Sequence, residues 1–214
     1  VRGQTAPALD DAPTSGMAAG PGRGARAELV LRDNVRNRRR IERAYLRAIG
    51  TARQEVIIAN AYFLPGVRLR KALILAAGRG VRVRLLLQGR YEYFLQYHGS
   101  RPVYGALLAA GVEIHEYAAS FLHAKVAVVD SRWATVGSSN LDPLSLLLAR
   151  EANIVVHDRA FAMQLRQQLE QAITQGGRTV DAVEFENRSW RLRVLEQLAY
   201  GAMRLALLLV GRRY

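Results

Sequence analysis

The sequence predicts an α/β fold: a largely parallel sheet that admits antiparallel strands at its centre and carries helices on both faces. Three observations predict it. Short apolar runs alternate with stretches whose apolar residues recur at helical spacing, Gly and Pro punctuate the joints, and half of the 214 residues are apolar, enough for one ordinary core.

Residues 1–27 are dominated by Ala, Gly, Pro, Asp and Arg without periodicity and read as a flexible linker. They lack the uninterrupted apolar segment of a signal peptide. Val1 in place of Met is explained equally by a tag or non-AUG start and by a position downstream in a longer protein. Residues 29–31 read as a brief strand, and 37–49 as a helix through Ile41, Tyr45, Leu46 and Ile49. A buried strand at 56–59 runs into Pro65-Gly66, which forces a turn before a helix at 67–77. A strand at 81–88 follows, then an aromatic loop from Tyr91 to Ser100, a helix at 102–110 closed by Gly111, and a strand at 112–117. Runs at 125–129 and 133–136, separated by Asp130-Ser131-Arg132, read as adjacent strands joined by a tight turn. Residues 154–156 give another strand, and 159–174 a helix closed by Gly176-Gly177.

The last segment, 177–214, differs in character. Its stretch 189–210 has a helical pattern of Trp190, Leu192, Val194, Leu195, Leu198, Met203 and Leu205, flanked by Arg188, Arg191, Arg193, Arg212 and Arg213. Glu196 and Arg204 interrupt the apolar run, which therefore suits an amphipathic helix at a lipid boundary better than a spanning one. A helix docked on its own core is the competing reading.

Net charge is +13, which favours anionic partners, phospholipid surfaces or nucleic acid. Of the 31 basic residues only Lys71 and Lys125 are lysines, so both draw attention. The absence of cysteine removes disulfides, thiolate catalysis and cysteine zinc sites.

Lys125 belongs to the run His123-Ala124-Lys125 to Asp130. Side chains two apart on a strand share a face, so an imidazole and an ammonium can converge on one group of atoms. Gly137-Ser138-Ser139-Asn140 follows the next strand, with small residues for close backbone approach and hydroxyl, amide and N–H donors for phosphate oxygens. Chance placement of H-x-K-x4-D in this composition is about one in a thousand.

His123-x-Lys125-x4-Asp130-x6-Gly137-Ser138-x-Asn140 resembles the signature of the phospholipase D superfamily. The runs from Ala59 through Tyr62 to Gly66 and from Trp133 through Asp142 to Ser145, with Glu151-Ala152-Asn153, are similar to the second half of bacterial cardiolipin synthases of the B type. The resemblance implies a phospholipase D-like mixed sheet flanked by helices on both faces, one half of a two-half enzyme, with 28–176 as the catalytic half and 177–214 as a basic amphipathic membrane-associating tail. It implies that His123 is the nucleophile or the acid/base, with the general-acid role favoured because related first halves supply the nucleophile. Lys125 and Asn140 would hold nonbridging oxygens with Gly137 and Ser138 assisting, and Tyr62 would contact substrate. Glu151 would orient a histidine. Asp130 is grouped with the catalytic residues through the motif and is expected to support the site rather than touch phosphorus.

No cofactor or metal is expected. His115 and His157 read as structural, and the loop carrying His98 either caps the core or shapes a headgroup pocket. One motif supplies half a site, so a second HKD half is expected, from a missing N-terminal half or from a homodimer; alone, the chain is expected to be inactive. The expected activity is cardiolipin synthase-like phosphatidyl transfer on phosphatidylglycerol through a phosphohistidine. The expected location is a bacterial cytoplasmic (inner) membrane, peripheral or tail-anchored, with anionic phospholipid rather than nucleic acid as partner. The competing readings are a homodimeric phosphodiesterase or nuclease of the same superfamily, and a catalytically silent membrane-binding fragment.

Overall fold

The computed structural model describes residues 25–33, 37, 39–91, 94–142 and 150–211. The expected linker lies outside them as far as residue 24, as do Leu144, Ser145, Arg212 and Arg213; its last residue, Ala27, already belongs to a strand. The elements in chain order are β1 (Ala27–Arg32), α1 (Arg40–Thr51), β2 (Glu55–Asn60), α2 (Val67–Gly78), β3 (Arg82–Gln88), α3 (Phe94–Leu108), β4 (Glu113–Tyr117), β5 (Lys125–Val129), β6 (Trp133–Gly137), β7 (Glu151–Val156), α4 (Arg159–Gly176), β8 (Gly177–Thr179), α5 (Ala182–Glu186) and α6 (Trp190–Gly211).

One sheet orders these strands β1-β7-β6-β5-β2-β3-β4-β8. Among the described strands β2–β3 and β3–β4 pair in parallel and the other pairings are antiparallel. The expectation of a largely parallel sheet is corrected, and that of a mixed sheet stands. Parallel pairing needs a crossover element to bring the chain back, and α2 and α3 supply one on either side of β3. Between β4 and β5 no helix intervenes, and β5 and β6 form a hairpin. Its turn places Asp130 and Ser131 both at φ 50°, with Arg132 N donating to Val129 O at 3.1 Å, the left-handed pair that matches the twist of a two-stranded ribbon.

Helices cover both faces. On one, Ile41, Tyr45 and Ile49 of α1, Leu69 and Leu73 of α2, Val103 and Leu107 of α3, Phe185 of α5 and Met203 of α6 form one core with inward residues of the central strands. On the other, Ala162, Leu169 and Ile173 of α4 cover Ile57, Ala59, Leu86, Val128 and Ala134. Asp158 caps α4 by accepting from Phe161 N at 2.8 Å. Arg84, 1% exposed, lies under α4 between Glu170 and Glu55, which also pairs with Arg166, so its buried charge faces two carboxylates.

Two parts of the sequence reading change. Helix α3 starts at Phe94 and carries Pro102 in its interior, so His98, expected in a loop, is helical and sits among the rings of Tyr91, Phe94 and Tyr97. Residues 177–179, grouped with the tail, form the edge strand β8 beside β4, where Thr179 Oγ1 lies 3.1 Å from Nδ1 of His115. The tail helix α6 packs on α3: Ala199 and Met203 are buried, and a Cβ on Gly99 would stand 2.5 Å from the Met203 sulfur. Glu196, which breaks the apolar run, turns inward to Arg188 at 2.7 Å, leaving Trp190, Val194, Leu195, Leu198 and Leu205 exposed.

Candidate active site

The site forms where β2 and β3 end and β5 and β7 begin. Register places Asn60, the last residue of β2, opposite Lys125, the first of β5. Ala61 N extends that pairing by donating to Ala124 O at 2.9 Å, and Leu122 N donates to Gln88 Oε1 at 3.2 Å. The short segment carrying His123 is thus held from both sides. Asn60 is fully buried and its Oδ1 accepts from Leu141 N at 3.1 Å, while Leu64 N donates to Leu141 O at 3.0 Å. These bonds strap the loop with Asn140 and Asp142 onto the loop with Tyr62.

Within this frame Nζ of Lys125 is 3.0 Å from Nε2 of His123, and the rings of Tyr62 and His123 meet edge to face at 6.5 Å between centroids. Lys125 is 8% exposed, and burial holds its ammonium below the usual lysine range, with the carboxylates of Glu151 and Asp142 acting in the opposite sense. Ser138 donates its hydroxyl to Glu151 and accepts from Ala152 N at 3.1 Å, so the end of β6 and the start of β7 present a hydroxyl and a carboxylate together. Glycine is required at 137 because a Cβ there would collide with the side chain of Asn153 and the carbonyl of Ala152. The close approach read from the sequence is between strands, and it seats Ser138. Asn140 is nearly buried on the same side.

Asp130 is not brought to this place. Five residues of β5 at ~3.3 Å each carry it to the other end of the sheet. There its carboxylate accepts from the backbone N–H groups of Arg53, Gln54 and Glu55 at 2.9, 2.8 and 2.9 Å. Burial alone would raise its pKa; the three amides outweigh that and lower it. There it fixes the hairpin to the start of β2.

Sequence reasoning missed Asn60 and Asp142 as site residues. Asp142 is 5% exposed and lines a slot with Tyr62, Gln88, Tyr97, Ser100 and Arg101. A buried acid between Leu141 and Pro143 was the available signal. The arrangement can hold a tetrahedral anion: segment 123–125 supplies an imidazole nitrogen and an ammonium, and segment 138–140 a hydroxyl and an amide.

A family model described as "Cardiolipin synthase, PLD-like domain" matches residues 45–173. Cardiolipin synthase B of Escherichia coli (strain K12) is 47% identical over 187 residues, covering 87% of this chain and 45% of that protein. The chain spans about half the length of the curated relatives it matches. Among solved structures, Nuc from Salmonella typhimurium, a phospholipase D family member, superposes with a TM-score of 0.62 at 19% identity, over 73% of this chain and 99% of that one. Phosphatidylserine synthase of Haemophilus influenzae Rd KW20 gives a TM-score of 0.66 at 14% identity, over 86% of this chain and 47% of that one. These two likenesses are of fold.

Proposed function

The chain belongs to the cardiolipin synthase, phospholipase D-like domain family, and we propose that it is one half of a phosphatidyltransferase that acts on phosphatidylglycerol through a phosphohistidine and is completed by a second HKD half. The observation that carries this is the convergence of His123 Nε2 and Lys125 Nζ at 3.0 Å. A phosphodiester is an anion that repels nucleophiles. Lys125 neutralises the nonbridging oxygens, with Asn140 and Ser138 donating to them, so that a neutral imidazole can attack.

The reaction needs two histidines because attack and departure occur on opposite sides of phosphorus. One forms the phosphorus–nitrogen bond as the bond to the glycerol oxygen breaks, and the other gives that oxygen its proton. A hydroxyl of a second phosphatidylglycerol then returns a proton to the second histidine while its oxygen displaces the first, giving cardiolipin. His123 takes the acid and base part and Glu151 orients a histidine. Water entering at the intermediate gives hydrolysis instead, so the assembled site must exclude it.

The second half comes from a longer protein or from a second copy of this chain. The fold supports either source, since the same unit accounts for nearly all of one solved neighbour and about half of another. Among the described residues no helix is long and apolar enough to cross a membrane. The outward row of Trp190, Val194, Leu198 and Leu205, beside the exposed Arg191, Arg193 and Arg204, supports peripheral attachment of 190–211 to an anionic inner-membrane surface.

Chromatographic separation of the products formed from phosphatidylglycerol vesicles by the two-half assembly tests the reading, beside a plasmid-degradation assay. Cardiolipin and glycerol are expected. Nicked plasmid with unchanged lipid rejects phosphatidyl transfer in favour of a nuclease.

A further inference from the structure

We infer that Tyr91, Phe94, Leu95 and Phe121 form an apolar lip beside His123 that enters the bilayer and sets the reacting group at headgroup level; this rests on the phosphatidyl-transfer reading above. The four side chains are between 46% and 59% exposed and stand outside both core clusters. They come from two segments that the fold ties together. Arg90 donates to the carbonyls of Ala118 and Ala119 at 2.9 and 2.7 Å, and its guanidinium lies 5.5 Å from the centre of the Phe121 ring. Tyr91 is joined to the start of α3 through rings: it meets Tyr97 at 5.3 Å and His98 at 6.3 Å, and Phe94 meets His98 at 4.7 Å. Phe121 lies two residues before His123, and Leu122 between them is fixed to Gln88. The lip therefore keeps a set place relative to the imidazole.

Large apolar side chains gathered in water mark a surface that another phase or partner covers, and aromatic rings beside an arginine suit the boundary between membrane and water. The size of the substrate makes lipid the occupant here. The cavity next to the site, between Tyr62, Leu64, Tyr97 and Met203, has about 40 Å³ of free space, too little for an acyl chain. Phosphatidylglycerol brings two. Its chains must stay in the bilayer while its phosphate reaches Lys125 and His123, so the edge of the site has to press on the lipid surface. Phe94 and Leu95 belong to the helix on which α6 packs, with Met203 against Gly99, so they share a side of the sheet with the outward row of α6. The second half has a different apolar surface open to it. Leu29, Ile154 and Val136 are register partners across β1, β7 and β6, all exposed, and strand alternation from Ala134 puts them on the α4 side.

The test uses the two-half assembly and two forms of phosphatidylglycerol, long-chain lipid in vesicles and a short-chain form dispersed as monomers. Phe94→Ser and Leu95→Ser are each expected to lower transfer from limiting vesicles roughly tenfold, the loss when one large apolar side chain no longer leaves water, with transfer from monomers unchanged. A fall on both forms alike, or on neither, overturns the lip as a lipid contact. So does separation of the two halves in gel filtration of the variants, which assigns the lip to the second half. Insertion is also read directly with bromine-labelled acyl chains. Phe94→Trp in a Trp190→Phe background is expected to be quenched beyond the Trp190→Phe parent, whose remaining Trp133 packs on Tyr45 at 5.7 Å. Quenching no greater than in that parent overturns the proposal whatever the turnover. A wild-type assembly that transfers from neither form of lipid sinks the phosphatidyl-transfer reading instead, and the quenching then decides the lip by itself.

Discussion

Nζ of Lys125 stands 3.0 Å from Nε2 of His123, although one side chain comes from the first position of a strand and the other from the loop before it. The pair is held from outside: Asn60 and Ala61 fix the backbone on one flank and Gln88 on the other. The two nitrogens stand within hydrogen-bond reach of each other, so an anion that enters meets both at once. The pair is therefore organised before substrate arrives, and little reorganisation is left for the chemical step.

Burial lowers the Lys125 pKa, so its proton is lost at lower pH than from an ordinary lysine, whose value is 10.5. Anion neutralisation requires the charged form. The alkaline limb of kcat/KM in the assembled enzyme is expected to begin below the usual lysine range, and in Lys125→Arg, whose guanidinium stays charged, to shift upward. Lys125→Ala is expected to lose about 10²–10³ in turnover. An identical alkaline limb in wild type and Lys125→Arg would assign that limb to another group.

Asp130→Asn is expected to destabilise the fold by about 1–3 kcal/mol at neutral pH, because the charged acceptor of three backbone N–H groups is lost. The folded-state pKa is lowered, so the stabilisation is complete above the unfolded value, about 3.9, and disappears as pH falls through the lower folded value. Urea unfolding of the two proteins should converge in acid, with turnover per folded molecule little changed at neutral pH. A variant as stable as wild type yet inactive would return Asp130 to the chemistry.

These contrasts show what the sequence could and could not reveal. The spacing of His123 and Lys125 carries its own geometry, because alternation along a strand is local, and the strands at β2, β3, β5 and β6 stand out by composition. Asp130 belongs to the same eight-residue run, but the strand that joins the two ends also separates them, and a motif does not record that distance. The pairing of β1 with β7 joins residues more than a hundred positions apart, and β8 has the sequence Gly177-Arg178-Thr179, with no apolar signal. Pro102 read as a helix start because its missing N–H costs nothing there; the helix begins earlier, where Tyr91, Phe94, Tyr97 and His98 pack their rings together. Asn60 and Asp142 acquire their parts only when two loops meet.

Removing apolar side chains from the outer face of α6 is expected to weaken vesicle attachment. Each of Trp190→Ala and Leu198→Asp should reduce co-sedimentation with phosphatidylglycerol vesicles roughly tenfold or more, given ~1.5–3 kcal/mol for burying such a side chain, and added salt should weaken wild-type binding further. Both side chains are exposed, so the fold should survive. Unchanged co-sedimentation would assign this face to another partner.

The most direct test of the half-site is His123→Ala in the two-half assembly, with cardiolipin formation and vesicle co-sedimentation measured on the same samples. The expected result is that cardiolipin formation disappears while co-sedimentation is unchanged, because the imidazole carries the proton of the leaving and entering alcohols and the membrane face lies on α6. Cardiolipin still formed at the wild-type rate by the variant would contradict the account.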